Sequence, residues 1–197
     1  MSTENQLSPK QSLDVITSMI QQAKGNTQKN SFYFLLWGCT IAVANLGVYI
    51  MLKFTQVENP YNMFLITLVS AAVSIVYGIR QNKKSTVSTH LDETVSTHLD
   101  EIYKWVWMSF GATCFIFWIF GGKVGWQINP IITTLCAIPT FISGVLLKFK
   151  PLMFGGIVFW VSGAVIFLVD IETQFLLTSI AVIVCYIIPG YMLKRSE

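Results

Sequence analysis

The sequence predicts an all-α, polytopic membrane protein: a bundle of six transmembrane helices preceded by a cytoplasmic amphipathic helix. Three observations carry this reading. Six apolar windows, at 32–52, 61–79, 105–122, 128–147, 151–169 and 173–193, each come near the ~20 helical residues needed to cross the hydrocarbon core. None contains Asp, Glu, Lys, Arg or His, so all 13 Lys and Arg and all 10 Asp and Glu lie in the termini and connections. A charge at the bilayer centre costs about 3 kcal/mol on insertion scales, which makes that segregation informative. Finally, the chain is 53% hydrophobic and only 12% charged, against roughly 25% charged in a soluble domain.

Orientation follows from the basic residues of the short flanking segments. With the N-terminus inside, the cytoplasmic segments hold Lys10, Lys24, Lys29, Arg80, Lys83, Lys84, Lys104, Lys148, Lys150, Lys194 and Arg195. Only Lys53 and Lys123 face out. Both termini are therefore expected in the cytoplasm. The net charge of +3 is accounted for by this bias, and no nucleic-acid partner is expected. The first 30 residues are polar and show no cleavable signal peptide, so the first apolar window is expected to target the chain.

The tail, residues 1–30, carries the amphipathic helix at 8–24. Ser8 suits its N-cap, Pro9 its first position and Gln11 the capping box, and Gly25-Asn26 is expected to end it. Leu13, Ile16, Ile20 and Ala23, with Met19 beside them, form an apolar stripe that lipid, the protein's own loops or a partner must cover. The polar face has Lys10 and Lys24 but also Asp14, which is weak for attraction to anionic lipid. Leu13, Ile16, Met19 and Ile20 are the candidate partner-docking set.

The membrane domain, 31–197, should pack through one small or mildly polar stripe per helix, because lipid removes the hydrophobic drive between helices. The stripes are Gly38, Ala42, Asn45 and Tyr49 in span one; Thr67, Ser70, Ser74 and Tyr77 in span two; Gly111 and Cys114 in span three. They continue as Thr133, Ala137, Thr140 and Gly144 in span four; Gly156, Ser162 and Gly163 in span five; Thr178, Ala181 and Cys185 in span six. Asn45 is the most polar group at mid-membrane, and its amide is expected to find a hydroxyl on a neighbouring helix. Pro139 and Pro189 lie inside spans four and six, where they free the carbonyls of Leu135 and Cys185 and are candidate kinks. Lys148-Phe149-Lys150 and Asp170-Ile171-Glu172 are short turns, which makes the last three spans antiparallel neighbours. Cys39, Cys114, Cys136 and Cys185 all fall in apolar windows without metal-ligand spacing and read as small buried hydrophobes.

The cytoplasmic linker, 80–104, contains a tandem repeat, TVSTHLDE at 86–93 and again at 94–101. His90 and His98 are eight residues apart, about 12 Å along a helix, too far to share one ion. Thr97 with Asp100 suits an N-cap box for the helix entering span three, which leaves the first copy as a spacer. No metal and no cofactor are expected.

Several strings carry a resemblance that covers nearly the whole chain: QSLDVITSMI with the following QQAKGN, FYFLLWG, THLDEI before YKWVW, AIPTFISGVLLKFKPLMFGG, and IIPGY. Together they resemble a family of small uncharacterised bacterial six-span inner-membrane proteins. The resemblance implies a bacterial inner (cytoplasmic) membrane location, with THLDEI present once, and it implies no catalytic or ligand motif.

Acid–base or metal chemistry needs titratable groups that converge, and the windows offer none. The expectation is a non-enzymatic membrane protein that binds or regulates a partner through its cytoplasmic face. The alternative is a transporter or channel for a neutral or apolar small solute, motivated by Asn45 and the two internal prolines.

Overall fold

The computed structural model describes residues 9–55, 57–85 and 93–195, with side chains described for 31–55, 57–80 and 101–195. Among these residues every regular element is helical. Helix α1 spans Pro9–Phe54, and a 3₁₀ turn at Pro60–Leu65 leads into α2 (Ile66–Ser85). Helix α3 (Glu93–Val124) is followed by a 3₁₀ turn at Gly125–Gln127 and then by α4 (Ile128–Leu146) and α5 (Lys150–Ile166). Helix α6 (Ile171–Val182) passes through a π-turn at Ile183–Ile187 into α7 (Ile188–Arg195).

Among the described residues four helical stretches are long and apolar enough to cross a membrane: Ser31–Phe54, Pro60–Arg80, Glu101–Leu146 and Ile171–Arg195. The helix at Lys150–Ile166 is apolar but shorter. The stretch Glu101–Leu146 holds 46 residues and doubles back on itself. Trp107 Nε1 donates to Ser143 Oγ at 3.0 Å, which brings the beginning of its apolar part against its end. The reversal sits at Gly125, whose φ of +68° is open to glycine and strained for other residues.

Hydrogen bonds from side chains across the helices fix the register of the rest. Ser31 Oγ donates to Gly190 O at 2.8 Å and Ser179 Oγ to Ala42 O at 3.0 Å, so α1 runs antiparallel to α6–α7. Trp37 Nε1 donates to Ser74 Oγ at 3.1 Å, and the Thr40 and Ser70 hydroxyls pair at 2.5 Å, which sets α2 antiparallel to α1. Thr140 Oγ1 and the Tyr186 hydroxyl pair at 3.0 Å, and Asn129 Nδ2 donates to Thr178 Oγ1 at 3.1 Å, so α4 runs parallel to α6. Close backbone approach joins α4 to α5. A Cβ on Gly144 would stand 2.5 Å from Met153 N, a gap that only glycine leaves open.

The core therefore lies among α1, α4, α5 and α6–α7. Its apolar part includes Phe34, Ala42, Ala137, Leu152, Phe159, Ala181, Val182, Cys185 and Tyr186. Helices α2 and α3 flank it. The outward faces are apolar and open, as at Leu168 (85% exposed) and Trp118 (67% exposed). A contiguous apolar exterior of this kind needs lipid around it.

Caps and turns follow local chemistry. Asp170 caps α6, accepting from Thr173 N at 3.1 Å and from the Thr173 hydroxyl at 3.0 Å, and these bonds hold its carboxyl below its ordinary pKa. Pro151 occupies the first turn of α5, where a helix tolerates proline best. Lys148 takes a positive φ of 50° between α4 and α5.

Several expectations are corrected. The tail helix does not end at Gly25-Asn26, because α1 continues through both residues into the first apolar window. Helical hydrogen bonding on either side carries the pair, since one Gly costs a helix only about 1 kcal/mol. Ser8 lies outside the described residues. Helix α3 begins at Glu93, so Thr97 sits inside it and does not cap it. Residues 86–92 of the repeat, His90 among them, lie outside the described residues, as does the His98 side chain. Gly111 faces open space, with nothing within 4 Å of where a Cβ on it would stand, whereas α3 docks through Trp107. Cys39 is exposed and only Cys185 is fully buried.

Candidate functional site

Two regions hold the residues singled out in the sequence. The first is the N-terminal stripe of Leu13, Ile16, Met19 and Ile20. Their backbone belongs to α1, and their side chains lie outside the described residues. What the structure adds is the course of that helix: it enters the bundle without a break.

The second region is a polar layer inside the bundle, toward the end that holds the α1–α2 and α5–α6 connections. Asn45 on α1 is 1% exposed. Its Nδ2 donates to Ile41 O, one turn back on its own helix, at 2.8 Å. The expected neighbouring hydroxyl does not meet it, because the side chain folds along α1, and Oδ1 is buried with no partner. Gln174, near the start of α6, is fully buried. Its Nε2 donates to Val169 O at 3.2 Å, and its Oε1 is likewise unpartnered.

Helix α4 supplies the groups beside them. Asn129 Nδ2 donates to Thr178 Oγ1 at 3.1 Å, and the Thr133 and Thr178 hydroxyls lie 3.4 Å apart. Thr133 also donates to Asn129 O at 2.9 Å, the back-bonding a helical threonine uses to satisfy its hydroxyl. The span-four stripe of Thr133, Ala137, Thr140 and Gly144 is buried as the sequence reading expects.

At the other end the interior is aromatic. The Tyr186 ring packs on Phe34, Trp107 and Phe159 with centroids 5.6, 6.3 and 5.0 Å away. Tyr186 lies in the π-turn, directly ahead of Pro189. That proline cannot donate to the Cys185 carbonyl, and the freed oxygen faces α5, 3.0 Å from where a Cβ on Gly155 would stand. Pro139 lies within α4, one residue before Thr140, and α4 remains helical through it. The two prolines thus flank the paired hydroxyls of Thr140 and Tyr186.

No protein-family model, curated protein or solved structure matches this chain significantly. Its own residues are what its function must be read from.

The sequence reading found Asn45, Thr133, Thr140 and Thr178 but missed Gln174, Asn129 and Tyr186. Gln174 stands four residues after Asp170, where a polar residue reads as interfacial. A count of hydrogen-bonding groups per apolar window would have raised Asn129 and Gln174, since each offers four.

Proposed function

We propose that the chain is a six-span protein of the bacterial inner membrane, non-enzymatic, with both termini in the cytoplasm, that binds or regulates a protein partner through its cytoplasmic face. Support for six crossings comes from the α3–α4 hairpin and from the Ser31–Gly190 bond, which brings the first and last apolar helices together at one end of the bundle. Entry and exit at one end call for an even number of crossings. The eleven basic residues on that side support the cytoplasmic assignment. The absence of Asp, Glu, Lys, Arg and His from all six windows supports a non-enzymatic role, and the family resemblance supports the bacterial membrane.

The docking reading is carried by the unbroken course of α1. At 1.5 Å per residue the part ahead of Ser31 extends about 33 Å. A helix lying among headgroups must turn at the interface, and α1 continues from Pro9 past Ser31 without a break, which supports Leu13, Ile16, Met19 and Ile20 standing away from lipid. An apolar stripe so placed needs protein to cover it.

Photo-crosslinking from position 19 in living cells tests this. A discrete adduct with another protein is expected, and it should vanish when Ile16 and Ile20 are both replaced by Ser. Each such side chain contributes about 1.5–3 kcal/mol when fully buried. Neutralising Lys10 and Lys24 should matter less, because exposed charges are screened. Adducts only with lipid or with the protein's own loops would refute the docking reading.

A further inference from the structure

Among the described residues three buried amide oxygens are unmet, and two of them, Oδ1 of Asn45 and Oε1 of Gln174, sit on side chains that are only 1% and 0% exposed, whereas the third, Oε1 of Gln127, belongs to a half-buried residue in the α3–α4 turn. Turning either amide over would not help. Each nitrogen already donates to a backbone carbonyl, Ile41 O or Val169 O, and a flip would set two oxygens face to face. An unmet amide oxygen in a low-dielectric interior is costly and calls for a donor.

At the level of these acceptors runs a relay that is already hydrogen-bonded. Thr178 stands one turn from Gln174 on α6, and it takes the Asn129 amide and faces the Thr133 hydroxyl. The bond from Ser179 to Ala42 O sets the register of α1, which places Asn45 about one turn further toward the Gln174 end. Three helices thus bring amides and hydroxyls into one layer about 8 Å deep, and what that layer lacks is donors. A bare cation fits poorly, because no window supplies a carboxylate to offset its charge. An anion fits no better, because the unmet groups are themselves acceptors. The matching chemistry is a small uncharged molecule bearing N–H or O–H groups.

Below the layer the interior is filled by Tyr186, packed among Phe34, Trp107 and Phe159. It sits in the π-turn Ile183–Ile187, a form of helix that recurs at functional sites and can change register locally. We propose that the Asn45–Gln174 layer is the binding layer of a path for small uncharged hydrogen-bond donors, of the urea and glycerol kind, shut on the cytoplasmic side by Tyr186. This goes beyond the docking role and shares with it only the membrane setting.

Stopped-flow light scattering on proteoliposomes of the full-length chain, with urea and with glycerol gradients, tests it against protein-free vesicles of the same lipid. Solute entry should be several-fold faster with protein. Asn45→Leu and Gln174→Leu should each cut the protein-dependent rate about tenfold, the equivalent of one hydrogen bond. Thr133→Val, of similar size, should also slow entry and serves if a leucine variant does not fold. Wild-type protein that speeds neither solute overturns the proposal, and so does one that speeds water alone, since the layer then holds a structural water only. Faster entry left unchanged in folded variants overturns the assignment to this layer. Crosslinking at position 19 is independent of every one of these outcomes.

Discussion

Gly144 and Gly111 show how differently one residue type acts inside this bundle. A methyl on Gly144 would press on the Met153 backbone, with N at 2.5 Å and Cα at 2.9 Å. Backbone cannot swing aside as a side chain can. Gly144→Ala should therefore lower stability by about 1–3 kcal/mol, the range for overpacking. Gly111→Ala meets open space and should be neutral or mildly stabilising, because alanine is the better helix former. Unfolding titrations in mixed detergent micelles would compare the two, and equal losses would contradict the packing described. At the same scale Asn45 was legible in the sequence as a buried amide, but its partner was not. Which group an amide meets depends on its rotamer and its neighbours, neither of which is written locally.

Helix α1 differs most from its sequence expectation. A Gly-Asn pair is a common helix stop, yet α1 runs 46 residues from Pro9 to Phe54, about 69 Å at the α-helical rise. Propensity is a weak prior, and a long helix on both sides overrides it. Spin labels at positions 12 and 43, in a protein cleared of its four native cysteines, should lie about 46 Å apart. A clearly shorter distance would mean a bend at Gly25-Asn26 and would remove the support for the docking reading. The π-turn in the last span is the second departure. Pro189 signals a break in the sequence, but whether the break becomes a kink or an extra residue in one turn depends on what surrounds Tyr186 and Cys185.

For the whole molecule, the direction of each helix is set by the registers of its contacts, and the directions alternate along the chain. On the proposed six-span topology, reporter fusions after residues 30, 90, 149 and 197 should read cytoplasmic, and fusions near 57, 125 and 171 should read periplasmic. A periplasmic C-terminus would require an odd number of crossings, in conflict with the pairing of Ser31 with Gly190.

The apolar windows, their freedom from charge and the basic bias of the connections were determined by the sequence alone, because solvation by lipid or water acts on each segment by itself. Tertiary structure decided which faces meet. The stripes of the fourth and sixth apolar windows lie in the core, whereas Gly111 of the third window points away from it. Small residues let helices approach but do not choose the partner. That choice depends on how shape and hydrogen bonds fit across two helices at once, as Gln174 illustrates: it is polar and near a window's edge, yet sealed inside by the helices around it.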